Sequence, residues 1–382
     1  MRRAGGLWPH VVSLENLYGA AHAALRGKRA RPDACAFFGR LEPELLSLQR
    51  ALERREYRPG RYRTFWIRDP KPRLISAAPF RDRVVHHALV RVIEPVFEPR
   101  FIHHSYACRT GRGTHRALAQ FVRWARSSRY VLKMDVRKFF PSIDHEILKA
   151  RLRRTLKDLD VLWLCDAILD ASNEQEPIAG LHFPGDDLLS PLARRRGIPI
   201  GNLTSQFFAN VHLDALDHHV TDRLGAGRYL RYVDDFCCFG DDKAGLRDLR
   251  AAVAEFLLGL RLRLNEGKSR LRQVKEGIEF LGFVVTPDLL RLSQTAVRRQ
   301  RRRMRAQRHA WGAGPVGRAS VARSAEAWGA HAAQGSTTGL RRAVAEALGS
   351  WARPDRGVRP GSSAGVMAPP DLRPVALVHH RA

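Results

Sequence analysis

The chain has 382 residues, and its 66 Lys and Arg residues outnumber its 38 Asp and Glu residues, which gives a formal net charge of +28. A hydrophobic content of 44% excludes a wholly disordered chain. A positive charge this large would repel itself unless a polyanion binds the protein, so nucleic acid is the expected partner. An anionic membrane is the alternative, but the positive residues are spread along the chain rather than gathered in one tail.

The five cysteines have no C-x-x-C spacing, so the sequence indicates neither a zinc module nor a disulfide framework. Their odd number fits a reducing cytoplasm. No uninterrupted apolar run reaches the length needed to cross a membrane, and the amino terminus lacks the apolar stretch of a signal peptide. We therefore expect a cytoplasmic protein with no membrane segment.

The first half of the chain is predicted to combine helices with short strands. Leucines at near-helical spacing make residues 1–57 an N-terminal helical segment. The elements that follow are a basic strand-like stretch over 58–75, a helix over 82–94 that stops near Pro95, a helix over 115–127, an apolar strand up to Val136, one or two amphipathic helices over 145–172, and a loop over 173–197.

The second half opens with a glycine turn at 197–202, and the helix after it is predicted to reach Leu224 with Asn202 or Thr204 as its cap. A hairpin over 231–239, a helix over 243–260 and a strand over 278–285 are predicted next. Eight of the twenty residues 291–310 are Arg, which favours a helix that grips nucleic acid over a solvated helix face. Residues 351–382 are rich in Pro, Gly, Ser and Ala and are predicted to be disordered.

Two adjacent acidic residues, Asp234 and Asp235, lie inside an apolar run of Tyr, Val, Phe and Cys that favours a buried β-hairpin. Two carboxylates about 4 Å apart repel each other by roughly 4 kcal/mol at an effective dielectric constant near 20. A divalent cation removes that repulsion, and carboxylate oxygens suit Mg²⁺. The alternative is a solvated turn, because Asp is common in turns.

A third carboxylate, Asp135, ends the apolar strand that begins near Tyr130. An aspartate at the end of one strand can meet the tip of a hairpin from another. Three carboxylates can then hold two Mg²⁺ ions about 4 Å apart, which is the arrangement for nucleotidyl transfer. The alternative for Asp135 is a salt bridge to Lys133 or Arg137.

The order of motifs over roughly residues 58–290 resembles that of a reverse transcriptase. The resemblance is carried by the basic finger strand, the string Ser105-Tyr106-Ala107-Cys108-Arg109, the Asp135 strand, the glycine turn, Tyr232-x-Asp234-Asp235, Asn265-x-x-Lys268 and Phe280-Leu281-Gly282. It implies an α+β right-hand polymerase, with fingers and an antiparallel-sheet palm over 58–290 and a helical Arg-rich thumb over 291–350. The implied reaction is RNA-directed DNA synthesis from dNTPs, with Mg²⁺ bound by the three aspartates.

The same resemblance implies roles for four further residues. Lys71 and Arg73 match the finger cations that meet the incoming triphosphate, with solvated loop charges as the alternative. Phe140 matches the aromatic side chain that excludes a ribose 2′-hydroxyl, with ordinary core packing as the alternative. Lys268 matches the lysine that protonates the pyrophosphate leaving group, with a surface lysine as the alternative.

Within the family, the string Ile200-Gly201-Asn202-Leu203-Thr204-Ser205-Gln206 is similar to that of reverse transcriptases of diversity-generating retroelements. Most bacterial relatives, such as group II intron and retron enzymes, carry Gln where Ile200 stands and Pro where Gln206 stands. This branch copies a template RNA into error-prone cDNA that diversifies a target gene. We expect Ile200 and Gln206 to lie near the nascent base pair and to constrain its geometry loosely.

The resemblance implies partners as well: a template RNA, its RNA/DNA duplex, dNTPs and a small basic helical accessory protein that is usually a pentamer. Two other functions fit the same residues. One is a domesticated or phage-defence reverse transcriptase with other templates, and the other is a non-catalytic RNA-binding scaffold on the same fold. The presence of Asp135, Asp234 and Asp235 argues against the scaffold.

Overall fold

The computed structural model describes residues 3–68, 71–173, 175, 182–313 and 317–349. The chain divides into two compact units, one formed by Met1–Gly113 with Leu132–Leu271 and the other by Thr114–Val131 with the chain from Arg272 onward. The predicted disordered segment 351–382 lies outside the described residues. The predicted domain boundaries follow polymerase subdomains rather than compactness, and they stay predictions.

Helices dominate both units. The α-helices among the described residues are α1 (Trp8–Val12), α2 (Leu14–Leu25), α3 (Pro32–Gly39), α4 (Leu41–Glu53), α5 (Phe80–Phe97), α6 (Thr114–Arg126), α7 (Phe139–Ser142), α8 (His145–Thr155), α9 (Leu159–Asp170), α10 (Ser190–Ala193), α11 (Leu203–His218), α12 (Lys243–Gly259), α13 (Gln294–Gly312), α14 (Arg318–Ala332) and α15 (Thr338–Gly349). Short 3₁₀ turns at Glu98–Arg100 and Val274–Glu276 and a π-helical turn at His219–Arg223 complete them.

The strands form three small sheets. They are β1 (Arg63–Ile67), β2 (Arg73–Ala77), β3 (Tyr130–Asp135), β4 (Tyr229–Tyr232), β5 (Asp235–Gly240), β6 (Arg270–Gln273), β7 (Ile278–Phe280), β8 (Phe283–Val285) and β9 (Leu290–Leu292). The sheet orders are β1-β2, β4-β5-β3-β6 and β7-β8-β9. Mixed helices and sheets with antiparallel β1–β2 and β4–β5 pairs agree with the predicted α+β class.

The N-terminal helical segment packs on α5 through small side chains. In α2 the buried residues are Leu17, Ala20, Ala21 and Ala24, so the alanine face allows close approach of the neighbouring helix. In α4 the leucines at 45, 48 and 52 are buried, as their spacing predicts. Helix α5 follows the β1–β2 hairpin in the chain.

Two predicted boundaries are wrong. Helix α5 passes Pro95 and ends at Phe97, because proline removes only its own amide hydrogen bond and the following Glu98 N–H still donates to the Glu94 carbonyl. The single strand predicted over 278–285 is a hairpin of β7 and β8. Its turn residues Leu281 and Gly282 have φ of +47° and +86°, which reverses the chain direction.

The second unit has its own core. Phe121 of α6 stacks on Phe280 of β7, with ring centroids 4.4 Å apart.

Ser293 caps α13 by accepting a hydrogen bond from the Ala296 amide. Ala296 and Gln300 lie on the buried side of α13. Most of its arginines therefore remain exposed.

All five cysteines are free thiols. Across the described part of the chain, the helices are all too short or too polar to span a lipid bilayer.

Candidate active site

The four-stranded sheet places the predicted acidic residues on neighbouring strands. Asp135 is the last residue of β3, and Asp235 is the first residue of the adjacent β5. Asp234 lies in the two-residue turn between β4 and β5, where Tyr232 pairs with Asp235. The Val136 amide donates to the Asp234 carbonyl at 3.2 Å, so the hairpin tip lies against the end of β3. The structure thus brings the three aspartates together.

The turn itself is conformationally costly. Val233 has φ of +59°, in the left-handed region that a β-branched side chain rarely adopts. Such a residue costs on the order of 1–3 kcal/mol, and the surrounding structure must supply that energy. Strain of this kind at the residue before Asp234 indicates that the hairpin is held in shape by specific contacts.

The pKa values of Asp234 and Asp235 are raised, first by burial and then by neighbouring negative charge. Burial and then the charge of Asp135 raise the pKa of Asp234 to about 6. Burial also raises the pKa of Asp235, and the neighbouring Lys133 opposes that effect. The three negative charges therefore share one poorly solvated site, which is the condition under which a cation binds favourably.

Two lysines neutralise part of this charge. The Lys133 ammonium lies 3.0 Å from Oδ2 of Asp235. The Lys268 ammonium lies 2.6 Å and 2.5 Å from the two carboxylate oxygens of Asp135. Asp135 therefore forms a salt bridge to Lys268, which is far from it in sequence, rather than the neighbouring-residue salt bridge given above as the alternative. Lys268 itself is half exposed rather than a plain surface lysine, since it binds a site carboxylate.

The donor set fits Mg²⁺. Oδ1 of Asp235 is buried and has no hydrogen-bond partner, so one hard oxygen of the site is unsatisfied. Asn265 donates to Oδ1 of Asp135 at 3.1 Å and orients that carboxylate. Among the described residues, no group of three or more His, Cys, Asp or Glu side chains is already arranged as a metal cage. Metal binding would require Lys133 and Lys268 to give up their carboxylates.

The predicted finger cations lie on the two-stranded sheet. Lys71 precedes β2 and Arg73 opens it opposite Ile67, and both side chains are exposed. Exposure is compatible with a triphosphate contact and with the alternative of solvated loop charges. Their role stays a prediction.

Phe140 lies on α7, just after the palm strand. Its ring contacts Phe139 with centroids 5.5 Å apart, and its carbonyl accepts from the Ile198 amide at 3.0 Å. The side chain is half-buried, whereas Phe139 is 2% exposed, so Phe139 is the core residue of this pair. The role of Phe140 in excluding a ribose 2′-hydroxyl stays a prediction.

The segment from Ile200 to Gln206 passes beside β2 and then enters α11. The Ile200 carbonyl accepts from the Ser76 amide at 3.0 Å. Gly201 has φ of +114°, and a Cβ there would lie 3.0 Å from the Ile75 side chain, so this approach requires glycine. Gln206 lies half-buried in the first turns of α11.

Asn202 does not cap α11 with its side chain, although it occupies the N-cap position. Its Oδ1 accepts from the Ala78 amide at 3.2 Å, and its Nδ2 donates to the Ser76 carbonyl at 2.9 Å. Asn202 thus occupies the predicted N-cap position without making the capping hydrogen bond, because the backbone groups of Ser76 and Ala78 at the end of β2 bind its side chain instead. The start of α11 is fixed to the β1–β2 hairpin instead.

The sequence analysis missed a buried polar network beneath the hairpin. It consists of Asn210 and Asp217 of α11 with Tyr229 and Arg231 of β4. The signal was present, because Arg231 stands in a strand of buried residues and a buried Arg requires an acidic partner.

Comparisons with known proteins bear on this site. A profile of the family described as reverse transcriptase (RNA-dependent DNA polymerase) matches residues 68–285, which contain the three aspartates and Lys268. Protein YkfC of Escherichia coli is 26% identical over 283 residues, covering 64% of this chain and 71% of that relative.

Two further relatives match shorter parts of this chain. The group II intron-encoded protein LtrA of Lactococcus lactis is 24% identical over 55% of this chain and 33% of its own length. The retron Mx65 reverse transcriptase of Myxococcus xanthus is 30% identical over 47% of this chain and 40% of its own length. This chain thus spans less than half of either protein.

A solved telomerase from Candida albicans, in complex with a fragment of telomeric RNA, is 14% identical. The match covers 63% of this chain and 46% of the telomerase, with a TM-score of 0.43.

Proposed function

Because this chain belongs to the reverse transcriptase (RNA-dependent DNA polymerase) family, we propose that it synthesises DNA on an RNA template from dNTPs. The observation that carries the proposal is the meeting of Asp135 with Asp234 and Asp235 at the tip of the β4–β5 hairpin. The raised pKa values of Asp234 and Asp235 and the unsatisfied Asp235 oxygen support it.

In this proposal the three aspartates hold Mg²⁺. When bound, Mg²⁺ activates the primer 3′-hydroxyl and neutralises the triphosphate. The Lys268 side chain lies against Asp135, and release from that carboxylate would free it to donate a proton to the pyrophosphate leaving group. Lys71 and Arg73 would bind the triphosphate, and Phe140 would exclude a ribose 2′-hydroxyl.

A primer-extension assay on a primed RNA with Mg²⁺ tests the proposal. The wild-type protein should extend the primer, and Asp234→Ala should reduce the rate by at least about 10³-fold because a ligand of the metal site is lost. Equal product from both proteins would mean that the signal is contamination. Absence of product from both would favour a non-catalytic RNA-binding scaffold.

We further propose that the chain is the reverse transcriptase of a diversity-generating retroelement. The support is the string from Ile200 to Gln206, which departs at both ends from the Gln and Pro of group II intron and retron enzymes. An apolar Ile200 offers no side-chain hydrogen bond near the nascent pair. The product would be error-prone cDNA made with a template RNA and a small basic helical accessory protein, usually a pentamer.

Ile200→Gln tests this branch assignment at the residue level. If Ile200 loosens base pairing, the variant should misincorporate less often opposite template adenines, as read by sequencing of the cDNA. An unchanged adenine error rate would remove Ile200 from the explanation. A domesticated or phage-defence enzyme is distinguished by its gene neighbourhood, which would lack the paired template and variable repeats of a diversity-generating element.

A further inference from the structure

Arg231 is a fully buried arginine three residues before Asp234. Its side chain is 0% exposed, although it lies in β4 of the sheet that carries the acidic residues. Buried arginines are rare because a guanidinium loses its hydration, and they are retained only when hydrogen-bonded partners surround them. The position therefore calls for an explanation beyond core packing.

One arm of the guanidinium is anchored on α11. Its Nε donates to Oδ1 of Asp217 at 2.7 Å and its Nη2 donates to Oδ2 at 2.6 Å, a two-pronged ion pair with both side chains 0% exposed. The Tyr229 hydroxyl also donates to Asp217 at 2.7 Å. Asp217 is thus held from two sides and forms a rigid base for the arginine.

The other arm reaches the hairpin tip. Nη1 of Arg231 donates to the Val233 carbonyl and to Oδ1 of Asn210, both at 3.1 Å. Val233 is the residue with φ of +59°, and its carbonyl belongs to the peptide that leads into Asp234. The guanidinium therefore fixes the orientation of that peptide and offsets part of the cost of the left-handed turn.

The anchor is continuous with the predicted base-pair segment. Asn210 and Asp217 belong to α11, whose N-terminal residues are those of the string that ends at Gln206. The Asn210 amide donates to the Ala107 carbonyl at 2.9 Å, which fixes this part of α11 to the loop before α6. One helix thus carries the predicted base-pair residues at its start and the anchor of the hairpin tip further along.

We infer that Arg231 is a positioning residue: it holds the Val233 peptide and thereby places the carboxylates of Asp234 and Asp235 for the divalent metal. It acts through the backbone of the turn and does not contact the carboxylates. This inference rests on the proposed polymerase function, because it assigns Arg231 a role at the same metal site.

The test replaces both partners of the Arg231–Asp217 ion pair, so that no unpaired charge remains buried. Arg231→Gln alone would bury an uncompensated Asp217 carboxylate and destabilise the fold. The double variant Arg231→Gln with Asp217→Asn keeps the interior neutral and removes the donor to Val233. Mn²⁺ serves as the probe, because its bound and free forms are distinguished directly by electron paramagnetic resonance.

Two further variants serve as controls. Val253→Ala removes buried methyl groups from α12, whose helix packs on β5, and so lowers stability without touching Arg231, Asp217 or the turn. Arg231→Lys keeps the charge beside Asp217, but one ammonium group cannot span Asp217 and the Val233 carbonyl together. Thermal unfolding of each variant shows whether the fold persists.

The double variant should fold, bind Mn²⁺ about tenfold or more weakly, and lose roughly 10²-fold in kcat, with the KM for dNTP changed less than about threefold. Arg231→Lys should fall between it and the wild type, and Val253→Ala should bind Mn²⁺ normally. Wild-type Mn²⁺ affinity in the folded double variant would overturn the positioning role alone. Failure of the wild-type protein both to bind Mn²⁺ and to extend a primer would overturn the proposed function, and the positioning role with it.

Discussion

Asp234 is a carboxyl group whose pKa is raised in the folded protein, from 3.8 to about 6, first by burial and then by the charge of Asp135. Between these two pH values the folded protein binds more protons at this position than the unfolded chain does. The contribution of Asp234 to stability is therefore favourable at low pH, and it is lost as the pH rises through about 6. Above pH 6 the ionised group destabilises the metal-free protein.

The variant Asp234→Asn should consequently stabilise the protein in a chelator. At pH 8 we expect its free energy of unfolding to exceed that of the wild type by up to about 3 kcal/mol, since the pKa of Asp234 is raised by about two units and one unit corresponds to about 1.4 kcal/mol. At pH 4.5 the difference should shrink to about 1 kcal/mol, because the carboxyl group is then mostly protonated in the folded protein and only the unfolded chain still gains from its ionisation. Urea unfolding at the two pH values measures both quantities.

The exposed Asp288 provides the control at the same scale. Asp288→Asn removes one negative charge from the surface and should leave the free energy of unfolding almost unchanged at both pH values. An equal gain for Asp234→Asn at pH 4.5 and pH 8 would contradict the electrostatic explanation. Added Mg²⁺ should raise the Tm of the wild type more than that of the Asn variant.

At the scale of elements, the Asn202 side chain fixes the start of α11 to the end of β2. Asn202 is 4% exposed and bonds one amide and one carbonyl of the strand end, at Ala78 and Ser76. Since β2 also carries the exposed Arg73, this connection sets the β1–β2 hairpin relative to the start of α11. Removal of the connection should affect both stability and nucleotide binding.

Asn202→Ala should lower the free energy of unfolding by about 2 kcal/mol, because two buried backbone groups lose their partners. It should also raise the KM for dNTP roughly tenfold, since it would displace Arg73, which we propose to bind the triphosphate. Denaturant unfolding and steady-state primer extension measure the two effects.

Asn16→Ala is the matched control, because Asn16 also donates to two carbonyls in the same unit, those of Val11 and Ala88. Its stability should fall by a similar amount while the KM for dNTP stays unchanged. If both variants raised the KM equally, the effect would come from lost stability rather than from the α11–β2 connection.

The elements that the sequence predicted well are those with local signals. The leucine spacing of α4 and the apolar run around Asp234 and Asp235 each contain their own periodicity. What the sequence did not reveal includes partners far away in the chain: Asn202 bonds the end of a strand 124 and 126 residues distant, and Lys268 binds an aspartate 133 residues distant. No local pattern encodes such a choice, because each side chain had a nearby alternative partner.

At the scale of the whole molecule, the charge of +28 includes an exposed stripe on α13. Arg298, Arg302 and Arg305 follow one another at helical spacing and are exposed, on the side of the helix opposite the buried Ala296 and Gln300. A row of like charges with this orientation is suited to the phosphate backbone of a nucleic-acid duplex.

Replacement of these three arginines by Gln should weaken binding to an RNA/DNA duplex and reduce its salt dependence. If all three contact phosphates, the slope of log K against log salt should become shallower by about 2 to 3 units. Fluorescence anisotropy over a salt series measures the slope.

A variant with Arg26, Arg29 and Arg40 changed to Gln removes the same charge from exposed positions in the loops between the N-terminal helices. Its slope should change by less than about one unit. Equal slopes for the two triple variants would show that net charge, rather than the α13 stripe, governs binding.

The lysines at Asp135 and Asp235 have a further consequence for how the enzyme is made and kept. If the three aspartates hold Mg²⁺ as we propose, these internal lysine counter-ions would let the chain fold before the ion binds, unlike domains that stay unfolded without their metal. Metal binding would then be an exchange of each lysine ammonium for a metal ion, and the metal-free protein would be folded but inactive. Because Mg²⁺ binds readily to the phosphates of nucleotides, the incoming dNTP itself would bring the ion to the site.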